Sequence, residues 1–390
     1  MYFREEIMKK FFNYLVISLA VVLLVACAPK KTGGNGVSGN NHVEVKIKDG
    51  TYVLPKDESS DSKYLALNVE IKNKSNKQLY ISDNDITLYN SDDEKISSIN
   101  VYDSSDKFKT MSYEKVAKDK SVSGYVVFEV NPKDTYELHY SPLYTDIGKK
   151  EPEEVTIKVD AKKYADNVDK MEDLAKEYVE KVFLSGDASG KAENVSSKQS
   201  DQAVVTTLTT KNDDKKKEGK ADQFVLGGDL EKDRANFMTS FTKEFGEEFS
   251  YYTPSEAELR TFAEAYTKMN AKRAKVTYQV ASFLPESATV YVRPETIGLE
   301  NIRTYDLVSK FVNEHRAEYS DYNDAYKAAE KYILEQAPSQ FDSIPLVTPK
   351  YMESEGYELK FTKKDGKWVV DSSDDYGYKY LVRSFSGSLY

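Results

Sequence analysis

Thiols, imidazoles, activated hydroxyls and clustered carboxylates are the side chains with which proteins do chemistry, and along this chain they are few and scattered. There is one Cys, Cys27, and three His, His42, His139 and His315, far apart in sequence. That excludes disulfide frameworks, Cys-based zinc sites and iron–sulfur clusters. A helical zinc hydrolase needs two His four residues apart so that both reach one metal; Asn313-Glu314-His315 supplies a single His beside Arg316 and reads as a charged helix surface. No Gly-x-Ser-x-Gly nucleophile elbow occurs, and Ser386-Gly387-Ser388 lacks its flanking pattern. Gly33-Gly34-Asn35-Gly36 is glycine-rich but follows no strand and opens no helix, as a phosphate loop must. Ser91-Asp92-Asp93-Glu94 and Asp371-Ser372-Ser373-Asp374-Asp375 gather hard oxygen ligands without the spacing of a calcium loop, and read as solvated turns. Tyr is abundant, 30 of 390 residues, densest at Tyr251-Tyr252 and in the tail at Tyr376, Tyr378, Tyr380 and Tyr390. The ring offers an apolar face and a polar tip for sugars or peptides, and equally suits strands and half-buried helix faces. The expectation is no catalytic residue, no metal and no cofactor.

Cys27 acquires meaning from what precedes it. Lys9 and Lys10 lead into an uncharged run from Phe11 to Ala26, 16 residues that suit a signal-peptide core better than the roughly 20 needed to span a bilayer. The run ends in Leu24-Val25-Ala26-Cys27, which resembles the lipobox of bacterial lipoproteins. That resemblance implies cleavage between Ala26 and Cys27 and a thioether-linked diacylglycerol on Cys27. Two acyl chains give the stable anchoring that one does not. Residues 1–26 are therefore expected to be a lipoprotein signal peptide, Cys27 the lipidation site, and the protein lipid-anchored at the cell membrane, facing the extracytoplasmic side. Met8 competes with Met1 as the start, since Glu5 and Glu6 stand ahead of the positive region.

Composition agrees with an exported, polar-surfaced protein. Apolar residues make up 39 % and charged residues 31 %, above the usual quarter. The chain carries net −10; removing a segment of net +1 (Arg4, Lys9 and Lys10 against Glu5 and Glu6) leaves −11, an acidic surface that disfavours nucleic acid. Eight of the 55 basic residues are Arg, a Lys bias that AT-rich codons produce and that points with the lipobox to a low-GC Gram-positive bacterium.

At about 150 residues per domain the length suggests two or three domains. Residues 27–41, rich in Gly, Asn and Lys, predict a lipidated flexible tether. From 42 to 160, apolar residues alternate at Val43-Val45-Ile47, Leu65-Leu67-Val69-Ile71, Ile86-Leu88, Val122-Gly124-Val126-Phe128 and Val155-Ile157-Val159, which predicts strands with one buried face and a β-sandwich. From Tyr164 the period becomes three to four: Val168, Met171, Leu174, Ala175, Tyr178, Val179, Val182 and Phe183 predict a helix. A polar insert follows at about 187–220. Two more helices are expected at Phe237, Phe241, Phe245 and Phe249, and after Pro254 at Leu259, Phe262, Tyr266 and Met269. Strands at Val276–Val280 and Val290–Val292 follow, then helical periodicity over 301–337. A closing hairpin brings Leu359 and Phe361 against Trp368 and Val370 across Asp365-Gly366. The Phe stripe is expected to cover Trp368.

The segments YLALNVEIKNKSNK (64–77) and VSGYVVFEVNP (122–132) resemble an immunoglobulin-like module of Gram-positive lipoproteins. The order of helices before a sheet in 164–390, ending in YELKFTKKDGKWVVD, resembles the cone-shaped α+β fold of the nuclear-transport-factor-2-like superfamily. The fold class expected is thus multidomain, an all-β immunoglobulin-like sandwich followed by an α+β cone-like domain. The function expected is that of a non-catalytic binding or interaction module at the cell surface, its partners the membrane through the acylated Cys and a protein, peptide or glycan ligand. The alternative is an enzyme with a pocket in the cone, since that superfamily includes isomerases and dehydratases.

Overall fold

The computed structural model describes residues 36–103, 107–144, 154–184, 224–302, 304–350, 352, 355–372 and 376–387. The signal segment with Ala26 and Cys27, both candidate start residues and the polar insert at about 187–220 lie outside them. Two regions follow one another: a multi-sheet β region, then a mixed α/β region.

The β region holds β1 (Val37–Gly39), β2 (Val43–Val53), β3 (Tyr64–Asn73), β4 (Leu79–Ile81), β5 (Ile86–Tyr89), β6 (Lys95–Ile96), β7 (Glu114–Val116), β8 (Ser121–Glu129), β9 (Thr135–Tyr140), β10 (Leu143–Tyr144) and β11 (Val155–Asp160). They form two four-stranded sheets, β1-β2-β3-β8 and β11-β9-β5-β6, and a small sheet β10-β4-β7, all antiparallel. The alternating residues turn one face inward: Val43, Val45, Ile47, Leu65, Leu67, Val69, Ile71, Ile86, Leu88, Val155, Ile157 and Val159 share one core. Val37–Gly39, expected within the flexible tether, instead pairs with β2, whose edge offers unpaired backbone groups. The turn after β3 is organised from inside by Asn73, which is fully buried. Its Nδ2 donates to the carbonyls of Lys77 (2.8 Å) and Val116 (3.0 Å), and its Oδ1 accepts from Ser75 N (2.9 Å) and Oγ (2.7 Å).

The segment joining the two regions is strapped down. Tyr52 N–H donates to Ala165 O, the Tyr52 hydroxyl to Ala161 O, and Lys63 pairs with Asp166 at 2.6 Å. Tyr164 lies over Gly50, where an added Cβ would stand 2.6 Å from its ring. Leu54 and Phe283 exchange both backbone hydrogen bonds, at 2.9 and 2.7 Å, tying the end of β2 to the second region.

The second region contains α1 (Lys170–Val182), α2 (Leu230–Gly246), α3 (Glu256–Arg273), β12 (Lys275–Phe283), β13 (Ser287–Ile297), α4 (Thr304–His315), α5 (Tyr322–Gln336), β14 (Leu346–Val347), β15 (Tyr357–Lys364), β16 (Lys367–Val370) and α6 (Tyr376–Phe385). Its antiparallel sheet runs β12-β13-β15-β16, with β14 on β13. The β15–β16 turn matches its Asp-Gly signal: Asp365 and Gly366 both take positive φ, 51° and 77°, as a tight hairpin with right-handed strand twist requires. Ser255, one residue past the Pro expected to open α3, caps it reciprocally with Glu258. Hydrogen bonds from the Ser255 hydroxyl and N–H and from the Tyr252 hydroxyl hold the Glu258 carboxyl down at about 2.

Trp368, Val370, Leu359 and Phe361 are buried as expected, but the cover differs. α1, α3 and α6 meet the sheet, and α2 packs on those three helices from outside. Its Phe stripe finds rings there: Phe237 meets Phe183, Phe241 meets Tyr266, and Phe245 stacks on Phe262 at 3.9 Å. Trp368 is covered instead by Phe224 and Phe283, at 5.6 and 5.7 Å, because residues 225–227 run along β16 and bond to it. α4 and α5 form a helical pair with a small core of their own around Val312, Ala325 and Ala329.

Candidate functional site

Two helices of the second region face each other across a cleft. On α2 the Phe stripe at 237, 241 and 245 turns inward. One residue earlier at each step stand Asn236, Ser240 and Glu244, on a stripe rotated by about 100°. On α6, Tyr378, Leu381 and Phe385 are buried, which leaves Lys379, Val382 and Arg383 on the flank. These two flanks enclose a cleft of about 600 Å³ floored by Phe237 and Tyr378, with Ser372 at its end.

Beneath it lies a polar network. The Tyr178 hydroxyl of α1 donates to Asp233 Oδ2 of α2 at 3.0 Å and shares a 2.9 Å hydrogen bond with the Tyr378 hydroxyl of α6. Ser372 Oγ donates to Asp233 Oδ1 at 3.0 Å. Burial, with Asp233 and the partner hydroxyl alongside, pushes the Tyr178 hydroxyl far above its usual range; burial raises that of Tyr378 to about 12. Both phenols stay protonated at any ordinary pH, so neither serves as a base. Arg234 completes the frame by donating from α2 to the carbonyls of Val182 and Leu184, at the end of α1.

The carboxylate on the wall is the unsettled group. Oε2 of Glu244 is buried and accepts no hydrogen bond from any described group. Burial pushes its carboxyl up, and the charge of Arg383 opposes that shift. The arrangement presents one acid on the α2 wall, two bases on the α6 wall and an aromatic floor. Among the described residues that line the cleft, no nucleophile is paired to a base.

The residues singled out in the sequence stand apart. His42 precedes β2 and is exposed; His139, in β9, reaches Glu154 at 2.9 Å and lies against Tyr89; His315 ends α4 and bonds Glu318 at 2.9 Å. Asn90 Oδ1 accepts the N–H groups of Asp92 and Glu94, so that acidic stretch is a self-capped turn. Of the second acidic stretch, Asp371 and Ser372 are described, and Ser373, Asp374 and Asp375 lie outside. Ser386 is buried and donates to Arg383 O; Ser388 lies outside. Among the described residues no three His, Cys, Asp or Glu side chains converge as a metal site. Tyr251 stacks on Tyr326 and Tyr380 on Tyr357, while Tyr376 is exposed; Tyr390 lies outside. Sequence reasoning missed α6, and with it the cleft. The available signal was the helical spacing of Tyr378, Leu381 and Phe385.

Residues 211–386, which include the cleft, match the model of a domain of unknown function, DUF5105, and residues 36–150 match that of another, DUF4352. Over nearly its whole length the chain is similar to a Bacillus subtilis protein, the uncharacterized lipoprotein YcdA, at 27 % identity over 395 residues, covering 97 % of this chain and 98 % of that one. The crystal structure of ycdA from Bacillus subtilis superposes with a TM-score of 0.59 at 24 % identity, over 91 % of this chain and 99 % of that one, which shows a shared fold.

Proposed function

We propose that this protein is a lipid-anchored extracytoplasmic lipoprotein of a Gram-positive cell surface, acting as a non-catalytic binding or interaction module. The observation that carries the binding reading is the α2–α6 cleft, where charged and polar side chains converge on an aromatic floor without a nucleophile–base pair. Anchoring is supported by the sole Cys at the end of the uncharged run and by the relative named as a lipoprotein. No helix among the described residues is long and apolar enough to cross a membrane, and the reading places attachment at Cys27. Ala26 and Cys27 are then the cleavage pair, with residues 42–160 and 164–390 as the two modules held outside. The immunoglobulin-like reading of the first draws support from its two four-stranded antiparallel sheets. The cone-like reading of the second draws support from helices laid on one face of an antiparallel sheet.

An enzyme is the second reading, favoured by Tyr178 and Tyr378 buried beside Asp233. It is the weaker one, because phenols held so far from ionisation make poor general acids and no base at all. The experiment is metabolic labelling with a fatty acid and fractionation of cells carrying the wild type or Cys27→Ala. Label and membrane retention lost in the variant support the reading; label retained overturns the anchor.

A further inference from the structure

The α2–α6 cleft sets Glu244 against Arg383 across its width without joining them. Asn236, Ser240 and Glu244 form one wall, Lys379 and Arg383 the other. An acid and a base that served each other would close to an ion pair. Here Arg383 acts on the charge of Glu244 from a distance, and Glu244 Oε2 stays buried without a donor. A buried carboxylate oxygen without a donor carries the full cost of its desolvation unless something supplies one. Arg383 can meet a ligand only as a donor, since a guanidinium has no acceptor.

From this we infer that the cleft binds a small zwitterion, an amino acid or short peptide with a free ammonium and a free carboxylate. This rests on the binding reading above and names its ligand class. The ammonium donates to Glu244, the carboxylate accepts from Arg383, and the body of the ligand lies over Phe237 and Val382 between them. The volume of about 600 Å³ falls in the range of small-molecule sites and exceeds what one free amino acid fills, which favours a peptide of a few small residues. Ser240 and Asn236, one and two turns before Glu244 on the same stripe, stand where they can bond peptide amides.

The test is isothermal titration of the full chain, purified in detergent, with trialanine, with the same peptide N-acetylated, and with the same peptide amidated at its C-terminus. Binding of the free peptide is expected, with each blocked form about tenfold or more weaker, the loss of one charge-assisted hydrogen bond. Glu244→Gln should weaken the free peptide by a similar factor and leave the acetylated one unchanged. Arg383→Gln should do the same with respect to the amidated one. Circular dichroism melting of both variants confirms that each is folded. Equal binding of free and blocked peptides, or unchanged binding by the two folded variants, overturns the zwitterion assignment. No heat with trialanine overturns it also. Binding of a neutral disaccharide in place of trialanine overturns it while the cleft remains a binding site, so the ligand class and the binding reading fail separately.

Discussion

Replacing Tyr178 by Phe tests the frame beneath the cleft, because the change removes one oxygen at a fully buried position and almost no volume. That oxygen donates to a carboxylate and shares a hydrogen bond with Tyr378. A hydrogen bond to a charged group contributes about 1.5–3 kcal/mol, and a buried hydroxyl that loses a partner costs about 1 kcal/mol more. Asp233 keeps Ser372 and is only half-buried, so water recovers part of the first term. A net loss of about 2–3 kcal/mol is expected. Trp368, the sole Trp, lies in the same region and is buried, so urea unfolding can be followed by its fluorescence, blue-shifted in the folded state. With a slope of about 3 kcal/mol per molar urea the midpoint should fall by somewhat under 1 M, with the slope unchanged. The double variant with Tyr378→Phe should show a coupling of about 1 kcal/mol or more, as two hydroxyls in one network require. A single-variant loss under about 0.5 kcal/mol, or additivity of the two, would refute the account of this network as what joins α1, α2 and α6.

Glu244→Gln should change the pH dependence of stability. Because burial raises the carboxyl of Glu244 in the folded state, the folded protein holds its proton more tightly, and stability falls as pH rises from about 4.5 through the folded value. The variant should therefore gain on the wild type toward neutral pH and lose that advantage below about pH 4.5, in melts taken across pH 3–8. Asn73→Ala leaves the buried Val116 carbonyl and Ser75 N–H without their partner and should cost about 2–4 kcal/mol, read by urea unfolding in far-ultraviolet circular dichroism. Glu330 accepts the N–H groups of Ser250, Tyr251 and Tyr252, latching α5 to the loop between α2 and α3. Its replacement by Ala should speed amide exchange at those three residues, while the Trp368 transition moves by less than about 1 kcal/mol.

How far the sequence could be read is best seen element by element. Strands with one buried face announced themselves, since a period of two admits no other regular structure, and β2, β3, β5, β8 and β11 lie where their apolar residues alternate. The short strands β4, β7 and β10 carry too few residues for any period to show. The Phe stripe of α2 was legible as a buried helix face, yet its partner was not. An aromatic face is satisfied by any apolar surface, and rings at the end of α1 and on α3 reached it before the sheet did.

The same division governs the site. By itself the sequence determined that the chain, with one Cys, can form no disulfide within itself, that two differently patterned regions follow each other, and that Asp365-Gly366 turns a hairpin, because residue type and local spacing decide these things. The polar stripe of Asn236, Ser240 and Glu244 stands one residue before each Phe, a spacing the sequence carries but whose meaning sequence reasoning missed. What only the tertiary structure decided is that Lys379 and Arg383 stand opposite that stripe, and that Tyr178, Asp233, Ser372 and Tyr378, up to 200 residues apart, share one network. Hydrogen bonds between side chains so distant leave no period in the sequence, since they depend on how the helices pack and not on the spacing of residues along any one of them.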